Sequence, residues 1–164
     1  VELLNDQVNK EFYSAYLYLS MANYYNEEGL SGFGNWLTIQ AQEERDHAML
    51  FLEYLQNNGA HVELKTVEAP KKQFKEFKDP LNESLKHERY VTASIHNIYA
   101  AASNVKDFRT MQFLDWFVKE QGEEEKTAED LIKKLELFGQ DGKGLYMLDS
   151  ELASRTYSAP TLTL

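Results

Sequence analysis

The chain has 164 residues, 43% of them hydrophobic, which is enough to bury the core of a single folded domain. Its 27 acidic and 17 basic residues give a net charge of −10, which argues against a nucleic-acid partner and favours cations. The absence of cysteine excludes disulfides and cysteine-bound metals. Since no long apolar run and no export leader is visible, we expect a cytoplasmic protein without a membrane partner.

Four long stretches are almost free of glycine and proline, and each has the apolar spacing that is typical of an α-helix. These are residues 1–28, 32–58, 80–104 and 107–138. Val1 already lies within the first pattern, so we expect a few further residues before it. Ser31 is expected to cap the second helix and Asp107 the fourth.

The connections between these stretches predict how the helices are arranged. The first and second helices are joined by only a few residues, as are the third and fourth, and this forces two antiparallel hairpins. Residues 60–79 join the second helix to the third, and an extended segment of about 20 residues can run the ~40 Å length of such a helix. We therefore predict an all-α fold, a four-helix bundle with one long crossover between helices two and three.

The C-terminal part is expected to add a short fifth helix. After a glycine-rich break, apolar residues at Leu145, Leu148 and Leu152 form one helical face, which predicts a helix over residues 145–155. We assign residues 1–155 to one domain and residues 156–164 to a C-terminal tail.

Polar residues interrupt the apolar seam of each long helix near its middle. Reading each helix at alternating spacings of four and three residues gives the seams that a bundle buries. The interruptions are Glu11 in the first helix, Gln40, Glu44 and His47 in the second, Glu88 in the third, and Gln121 and Glu124 in the fourth. Counted from the two hairpin turns, they lie at one height to within about one helical turn.

Several carboxylates at one level of a core need a positive charge. Without one they would repel each other and lose their hydration, and no lysine or arginine lies on the seams. Carboxylate oxygens with a single imidazole suit iron or manganese better than zinc or calcium. Four carboxylates also match the charge of two divalent ions. The seams therefore predict a di-metal site.

Four short stretches carry a resemblance to a known family. They are residues 9–13 (NKEFY), 40–47 (QAQEERDH), 86–88 (KHE) and 116–125 (WFVKEQGEEE). Together they resemble the bacterial non-haem ferritins along nearly the whole chain. One departure is Gln121-x-x-Glu124, where the general di-metal pattern of such bundles has Glu-x-x-His.

The resemblance implies three metal sites. One iron would be bound by Glu11, Glu44 and His47, and the other by Glu44, Glu88 and Glu124, with Glu44 as the bridge and Gln121 beside the pair. A third iron site would use Glu43, Glu120 and Glu123 together with Glu124. Tyr18 matches the tyrosine beside the centre, where core packing and electron donation are equally open roles.

The resemblance also implies an activity and an assembly. The activity is that of a ferroxidase, an oxidoreductase that oxidises Fe(II) with dioxygen or peroxide and stores hydrated ferric oxide. The assembly is a hollow shell of 24 copies, with the fifth helix lining a four-fold axis. Iron is the expected cofactor and haem is not, because the related haem-binding ferritins carry a methionine where this chain has Arg45. Rubrerythrins add a cysteine-bound iron, which this chain cannot form.

Two other functions stay open at this point. A non-catalytic helical interaction protein would need its seam carboxylates to face water. An oxygenase-like di-iron enzyme would need an apolar substrate pocket beside the metals. The remaining histidines, His61, His87 and His96, lie off the seams, and we expect them to be solvated.

Overall fold

A computed structural model describes residues 1–70 and 73–164 and contains five α-helices in this part of the chain. They are α1 (Glu2–Glu27), α2 (Ser31–Asn57), α3 (Lys78–Asn104), α4 (Phe108–Phe138) and α5 (Gly142–Ala153). The described residues form no strand, and none of their helices combines the length and the apolar character that a bilayer span requires. The predicted all-α bundle with a short fifth helix is confirmed.

The connection between α2 and α3 runs the length of the bundle. Near its start, Asn5 Nδ2 donates to the Glu63 carbonyl at 3.0 Å, and the Glu63 amide donates back to Asn5 Oδ1 at 2.9 Å. At its end, the Tyr25 hydroxyl donates to the Phe77 carbonyl at 2.5 Å. Because Asn5 and Tyr25 lie near opposite ends of α1, the connection is the predicted crossover and α2 and α3 are parallel. Its residues 71 and 72 lie outside the described part.

The buried side chains form two apolar clusters, one towards each end of the bundle. The first cluster includes Tyr25, Phe33 and Leu135. The second cluster includes Phe51 and Ile95. Each of the four long helices contributes to both clusters. The polar seam residues lie between them.

The starts of α2 and α4 are capped in different ways. Asp107 caps α4 as predicted, because its Oδ1 accepts from the Thr110 amide at 3.2 Å. The prediction that Ser31 caps α2 is wrong: Ser31 is the first helical residue and the start of α2 has no side-chain cap of its own. Asp149 of α5 supplies the missing acceptor, since the Phe33 amide donates to its Oδ1 at 2.9 Å.

α5 packs tightly against the start of α2. Leu148 and Leu152 are buried, and Asp149 contacts the first turn of α2. A Cβ atom at Gly32 would lie only 1.7 Å from the Asp149 carbonyl oxygen, so this approach requires glycine. α5 begins at Gly142, where the Gly144 amide donates to Asp141 Oδ1 at 2.6 Å.

Candidate metal centre

Side chains from four helices meet between the two apolar clusters. Ligand atoms of Glu11, Glu44 and His47 all lie within 4.8 Å of one another, and so do those of Glu44, Glu88 and Glu124. Across residues 1–70 and 73–164, no other His, Asp or Glu residues form such a group. Glu44 belongs to both sets. We call these five residues the carboxylate centre.

Four of the five residues of the carboxylate centre are shielded from solvent, and Glu124 is partly exposed. Glu11 and Glu88 are each 1% exposed, and Glu44 and His47 are each 2% exposed. In the described part of the chain, Glu11 Oε2 is the one buried side-chain polar atom without a hydrogen-bond partner. It lies 4.0 Å from His47 Nδ1. A buried carboxylate oxygen without a donor is costly, and a bound cation would satisfy it.

Burial controls the protonation of the centre. It is the largest cause of the raised pKa of Glu11, Glu88 and Glu124, and the charge of Glu44 raises each pKa further. The pKa of Glu88 rises to about 8. The Glu88 carboxyl therefore favours the protonated form at neutral pH, and a metal cation that binds it would displace the proton.

Glu44 and His47 form an ion pair within this group. Burial raises the pKa of Glu44, but the hydrogen bond and charge of His47, together with hydrogen bonds to Glu11 and Gln40, outweigh burial and lower the pKa to about 2. Burial lowers the pKa of His47, but Glu44 and Glu11 together raise it to about 10. His47 Nδ1 lies 3.3 Å from Glu44 Oε2, and its ring meets Trp116 and Phe117 edge to face. The imidazole is thus held by its ion pair with Glu44 and by two aromatic rings.

Two buried amides orient the carboxylates, and neither role was predicted. Gln7 Nε2 donates to Glu11 Oε1 at 2.9 Å. Gln40 Nε2 donates to Glu44 Oε1 at 3.1 Å and to Glu124 Oε2 at 2.9 Å. Gln7 and Gln40 each precede a glutamate of the centre by four residues, which places both side chains on one helix face. That spacing is the sequence signal that would have identified them.

Gln121 and Tyr18 both contact Glu88. Gln121 Nε2 donates to Glu88 Oε2 at 3.0 Å, so the amide nitrogen rather than the amide oxygen faces the carboxylate. The Tyr18 hydroxyl donates to Glu88 Oε1 and lies 3.1 Å from Ser84 Oγ. Burial is the largest cause of the raised pKa of Tyr18, which keeps its proton available for this hydrogen bond. Both residues therefore hold Glu88 in one orientation.

The glutamates expected at a third site lie beside the carboxylate centre. Glu43, Glu120 and Glu123 line a cavity of about 370 Å³ that also contacts His47. We call it the α2/α4 cavity. Within the described residues, these three glutamates do not form a group with ligand atoms inside 4.8 Å. Glu43 instead accepts a hydrogen bond from Arg155 Nη2 at 2.7 Å.

The expectation that the other histidines are solvated is wrong for His87. It is 7% exposed, its Nε2 lies 2.7 Å from Ser14 Oγ, and its ring meets that of Tyr18 edge to face. The physical reason is that α3 buries a face wider than its seam, because it packs against both α1 and α4. His61 and His96 are exposed.

The burial of the centre also argues against one of the two alternative functions, the non-catalytic interaction protein. A non-catalytic interaction protein would need its seam carboxylates to face water, and Glu11, Glu44 and Glu88 do not. Several buried carboxylates lie close together, and one of their oxygens has no hydrogen-bond donor. This arrangement is instead typical of a site that binds a cation.

Comparisons with a family model, with related sequences and with solved structures all point to the same family. The ferritin family, described as a ferritin-like domain, matches residues 1–138. The bacterial non-heme ferritin of Campylobacter jejuni is 42% identical over 149 residues, covering 91% of this chain and 89% of that protein. The one from Staphylococcus aureus is 40% identical, covering 96% and 95%. A solved structure described as a novel open-pore ferritin from Archaeoglobus fulgidus is 45% identical over 95% of each chain, with a TM-score of 0.93. The chain therefore belongs to the ferritin family.

Proposed function

We propose that this protein is a ferroxidase that stores iron. Fe(II) binds at the carboxylate centre, is oxidised by dioxygen or peroxide, and is deposited as hydrated ferric oxide inside a shell of identical subunits. The observation that carries the proposal is the pair of ligand sets that share Glu44, in which every residue except Glu124 is buried. The names of the relatives in Campylobacter jejuni and Staphylococcus aureus support iron as the substrate.

The donor chemistry supports two iron ions. Four carboxylates and one imidazole form a hard, oxygen-rich set that suits Fe(II), whereas a closed zinc site would favour cysteine and histidine. The four carboxylates together match the charge of two divalent cations. The oxygen of Glu11 that lacks a donor is one of the atoms that a metal ion would satisfy.

Each residue of the centre has a role in this mechanism. Glu11 and His47 hold one Fe(II), Glu88 and Glu124 hold the other, and Glu44 bridges them. Because the bridge keeps the two ions close together, each can give one electron to the same oxidant. With dioxygen, two electrons and two protons yield hydrogen peroxide and two Fe(III).

Tyr18 and Gln121 act through Glu88 in this proposal. Their hydrogen bonds to the two oxygens of Glu88 hold the carboxylate towards the second iron. We assign Glu43, Glu120 and Glu123 to an accessory iron site in the α2/α4 cavity, and Glu124 is the carboxylate that this site and the centre share. The support for this assignment is that the cavity reaches His47.

Storage requires an assembly, and we propose a shell of 24 copies in the cytoplasm with α5 at a four-fold axis. The support is the close similarity to Archaeoglobus fulgidus ferritin, at a TM-score of 0.93. Large apolar side chains on α5 are also exposed in the single chain, including Tyr146 at 73% and Met147 at 64%, and an assembly would cover them. The mass of the native particle tests this point, and a monomer or dimer would contradict it.

An oxygenase that acts on an organic substrate is the second candidate. It would need an apolar pocket beside the metals. The cavity that reaches His47 is lined by Glu43, Glu120 and Glu123, by Lys119, and by the apolar residues Trp116, Ala159 and Pro160. Its three carboxylates favour a cation over an apolar molecule.

The Glu44→Ala variant tests the proposed function. Without the shared carboxylate the two metal sets separate, so we expect the initial rate of Fe(II) oxidation to fall by roughly 100-fold or more. The measurement is stopped-flow absorbance of Fe(III) formation, together with anaerobic Fe(II) titration to count tightly bound ions. The matched control is Glu53→Ala, an exposed position on the same helix. Oxidation at the parental rate in Glu44→Ala would refute the assignment of the centre.

A further inference from the structure

The C-terminal segment folds back across α2 and α4 after α5 ends. Asn35 Nδ2 on α2 donates to the Arg155 carbonyl at 3.1 Å. The Tyr157 hydroxyl donates to Asp46, and Trp116 Nε1 on α4 donates to Thr161 Oγ1 at 3.0 Å. Residues 155–161, which we call the strap, are therefore attached to both helices.

Arg155 is the residue of the strap with the most polar contacts. Its Nη1 donates to the Trp36 carbonyl at 3.0 Å, and its Nη2 donates to Gln40 Oε1 at 3.2 Å and to Glu43 Oε2 at 2.7 Å. The guanidinium also lies over the Trp36 ring, 4.2 Å from its centroid. The Arg155 side chain is only 16% exposed. A planar guanidinium fixed by this many partners has a single orientation.

The strap forms one wall of the α2/α4 cavity. Residues 158–161 line it opposite Glu43, Glu120 and Glu123, and His47 connects it to the carboxylate centre. Arg155 therefore adds a positive charge at the edge of a cavity that is lined by three glutamates and by Lys119. It is also linked to the centre itself, because Gln40 accepts from Arg155 and donates to both Glu44 and Glu124.

Arg155 and a metal cation would compete for Glu43. The Arg155–Glu43 pair is partly buried, at 16% and 20% side-chain exposure, so it is less screened than a surface pair. A cation that binds Glu43 through Oε2 breaks this pair, and the guanidinium then keeps only its contacts with Trp36 and Gln40. The charge of Arg155 also repels a second cation in the same cavity.

We propose that Arg155 is a tethered cation of the α2/α4 cavity, and that a metal ion occupies the cavity only when it displaces Arg155 and loosens the strap. Arg155 is then a positioning residue that sets the affinity of the cavity for metal ions. The proposal rests on the proposed function for the identity of the metal as iron.

The first experiment measures metal affinity directly. Anaerobic Fe(II) is titrated calorimetrically into the assembled full-length protein and into Arg155→Gln. We expect two tight ions per chain in both proteins, and a further, weaker ion whose affinity rises roughly ten-fold in Arg155→Gln, because no ion pair has to be broken. The matched control is Arg109→Gln, which removes the same charge at an exposed residue that bonds Asn58. An unchanged weaker affinity in Arg155→Gln, or an equal gain in Arg109→Gln, would overturn the proposal.

The second experiment asks whether the strap moves. The chain has two tryptophans, and both contact the strap, Trp36 through Arg155 and Trp116 through Thr161. Zn(II), which has no redox chemistry, is added while tryptophan emission is followed. We expect a change in emission at the third equivalent in the parent and in Arg109→Gln, and a smaller change in Arg155→Gln. Emission in the parent that does not respond to the third equivalent means that the strap stays closed, and the proposal fails.

A Glu44→Ala variant separates this proposal from the proposed function. If both are correct, Glu44→Ala loses the two tight ions and keeps the weaker one, and adding Arg155→Gln still strengthens the weaker one. If the tight ions survive in Glu44→Ala, the proposed function fails, while the effect of Arg155 on the weaker ion still decides the role of the strap.

Discussion

At the scale of single residues, Glu11 shows how the centre is prepared for a cation. Its Oε1 accepts from Gln7, whereas its Oε2 has no donor. Gln7 is itself fixed, because its Oε1 accepts from Ser94 Oγ at 2.7 Å. One oxygen is therefore used to orient the carboxylate and the other is left for a metal ion.

The Gln7→Leu variant tests this division of roles. Leucine fills a similar volume but leaves Glu11 Oε1 without a donor, so we expect the free energy of unfolding of the metal-free protein to fall by about 1–3 kcal/mol. We expect Fe(II) affinity at the centre to fall by roughly 10- to 100-fold, because Glu11 is no longer oriented. Denaturant unfolding and anaerobic titration measure the two effects. The exposed Gln56→Leu should leave both unchanged, and an unaltered Fe(II) affinity in Gln7→Leu would show that Gln7 has no orienting role.

The residues of the centre could be predicted because the regular spacing of apolar residues along each helix shows which positions face the core. Glu11, Glu44 and Glu88 interrupt apolar seams, and a buried charge on a seam has few explanations other than a metal. Gln7 and His87 were not predicted as buried because they lie beside the seam, on the wider face that a bundle helix also buries. Arg155 could not be predicted at all, since its contact with Glu43 joins residues 112 positions apart along the chain.

At the scale of elements, the junction of α2 and α5 depends on Gly32. The Gly32→Ala variant would place a methyl group against the Asp149 backbone, so α5 has to shift. We expect a loss of about 1–3 kcal/mol in the free energy of unfolding, as in other overpacked sites. We also expect a smaller mass of the native particle if α5 supports the proposed shell.

Gly122 provides the matched control within α4. A Cβ atom there meets nothing within 4 Å, so Gly122→Ala should raise the free energy of unfolding by up to about 1 kcal/mol through helix propensity. Denaturant unfolding and particle mass are measured for both variants. Equal stability of the two would mean that the approach of α5 to α2 is not maintained in solution.

The helices themselves were predictable, whereas some of their ends were not. Long stretches without glycine or proline predict α1 to α4 well. The observed α3 begins at Lys78, two residues before the predicted start, because Asp79 Oδ2 accepts from the Lys75 and Glu76 amides and organises the chain ahead of Pro80. α5 begins three residues earlier than predicted because Asp141 caps a start that contains two glycines. Both ends depend on local hydrogen bonds rather than on periodicity.

At the scale of the whole molecule, stability should depend on pH and on metal. The pKa values of Glu11, Glu88 and Glu124 are raised in the fold, so folding is penalised above their ordinary value of 4.5, and the penalty grows as pH rises towards the folded values. The raised pKa of His47 stabilises the fold. This contribution is fully present below pH 6.5, the ordinary pKa of histidine, and it is lost as pH rises towards about 10. Glu44 contributes above 4.5 and loses its contribution only as pH falls towards about 2. Between pH 5 and 8 the metal-free protein should therefore lose stability.

Anaerobic Fe(II) should offset this loss. It supplies positive charge and binds only the folded state, so we expect the melting temperature of the loaded protein to exceed that of the metal-free protein by roughly 5–10 °C at pH 8, and by less at pH 5. Thermal unfolding across pH 5 to 8 measures both. Glu88→Gln should flatten the decline of the metal-free protein, whereas Glu53→Gln should not. Identical melting temperatures with and without Fe(II) at every pH would mean that these carboxylates never share a metal.

The two apolar clusters have a consequence for how the centre can be used. Every long helix is anchored on both sides of the carboxylate centre, so each ligand is carried by a segment that cannot swing without disturbing packed side chains at two places. The site is therefore built by the fold and not by the metal, in contrast to small zinc domains that unfold when the ion leaves. We therefore expect that a metal ion can leave and re-enter such a centre while the fold around it is kept. A site that binds and releases ions reversibly differs in this respect from a structural metal site. A protein that oxidises iron at one site and stores it elsewhere requires such reversible binding.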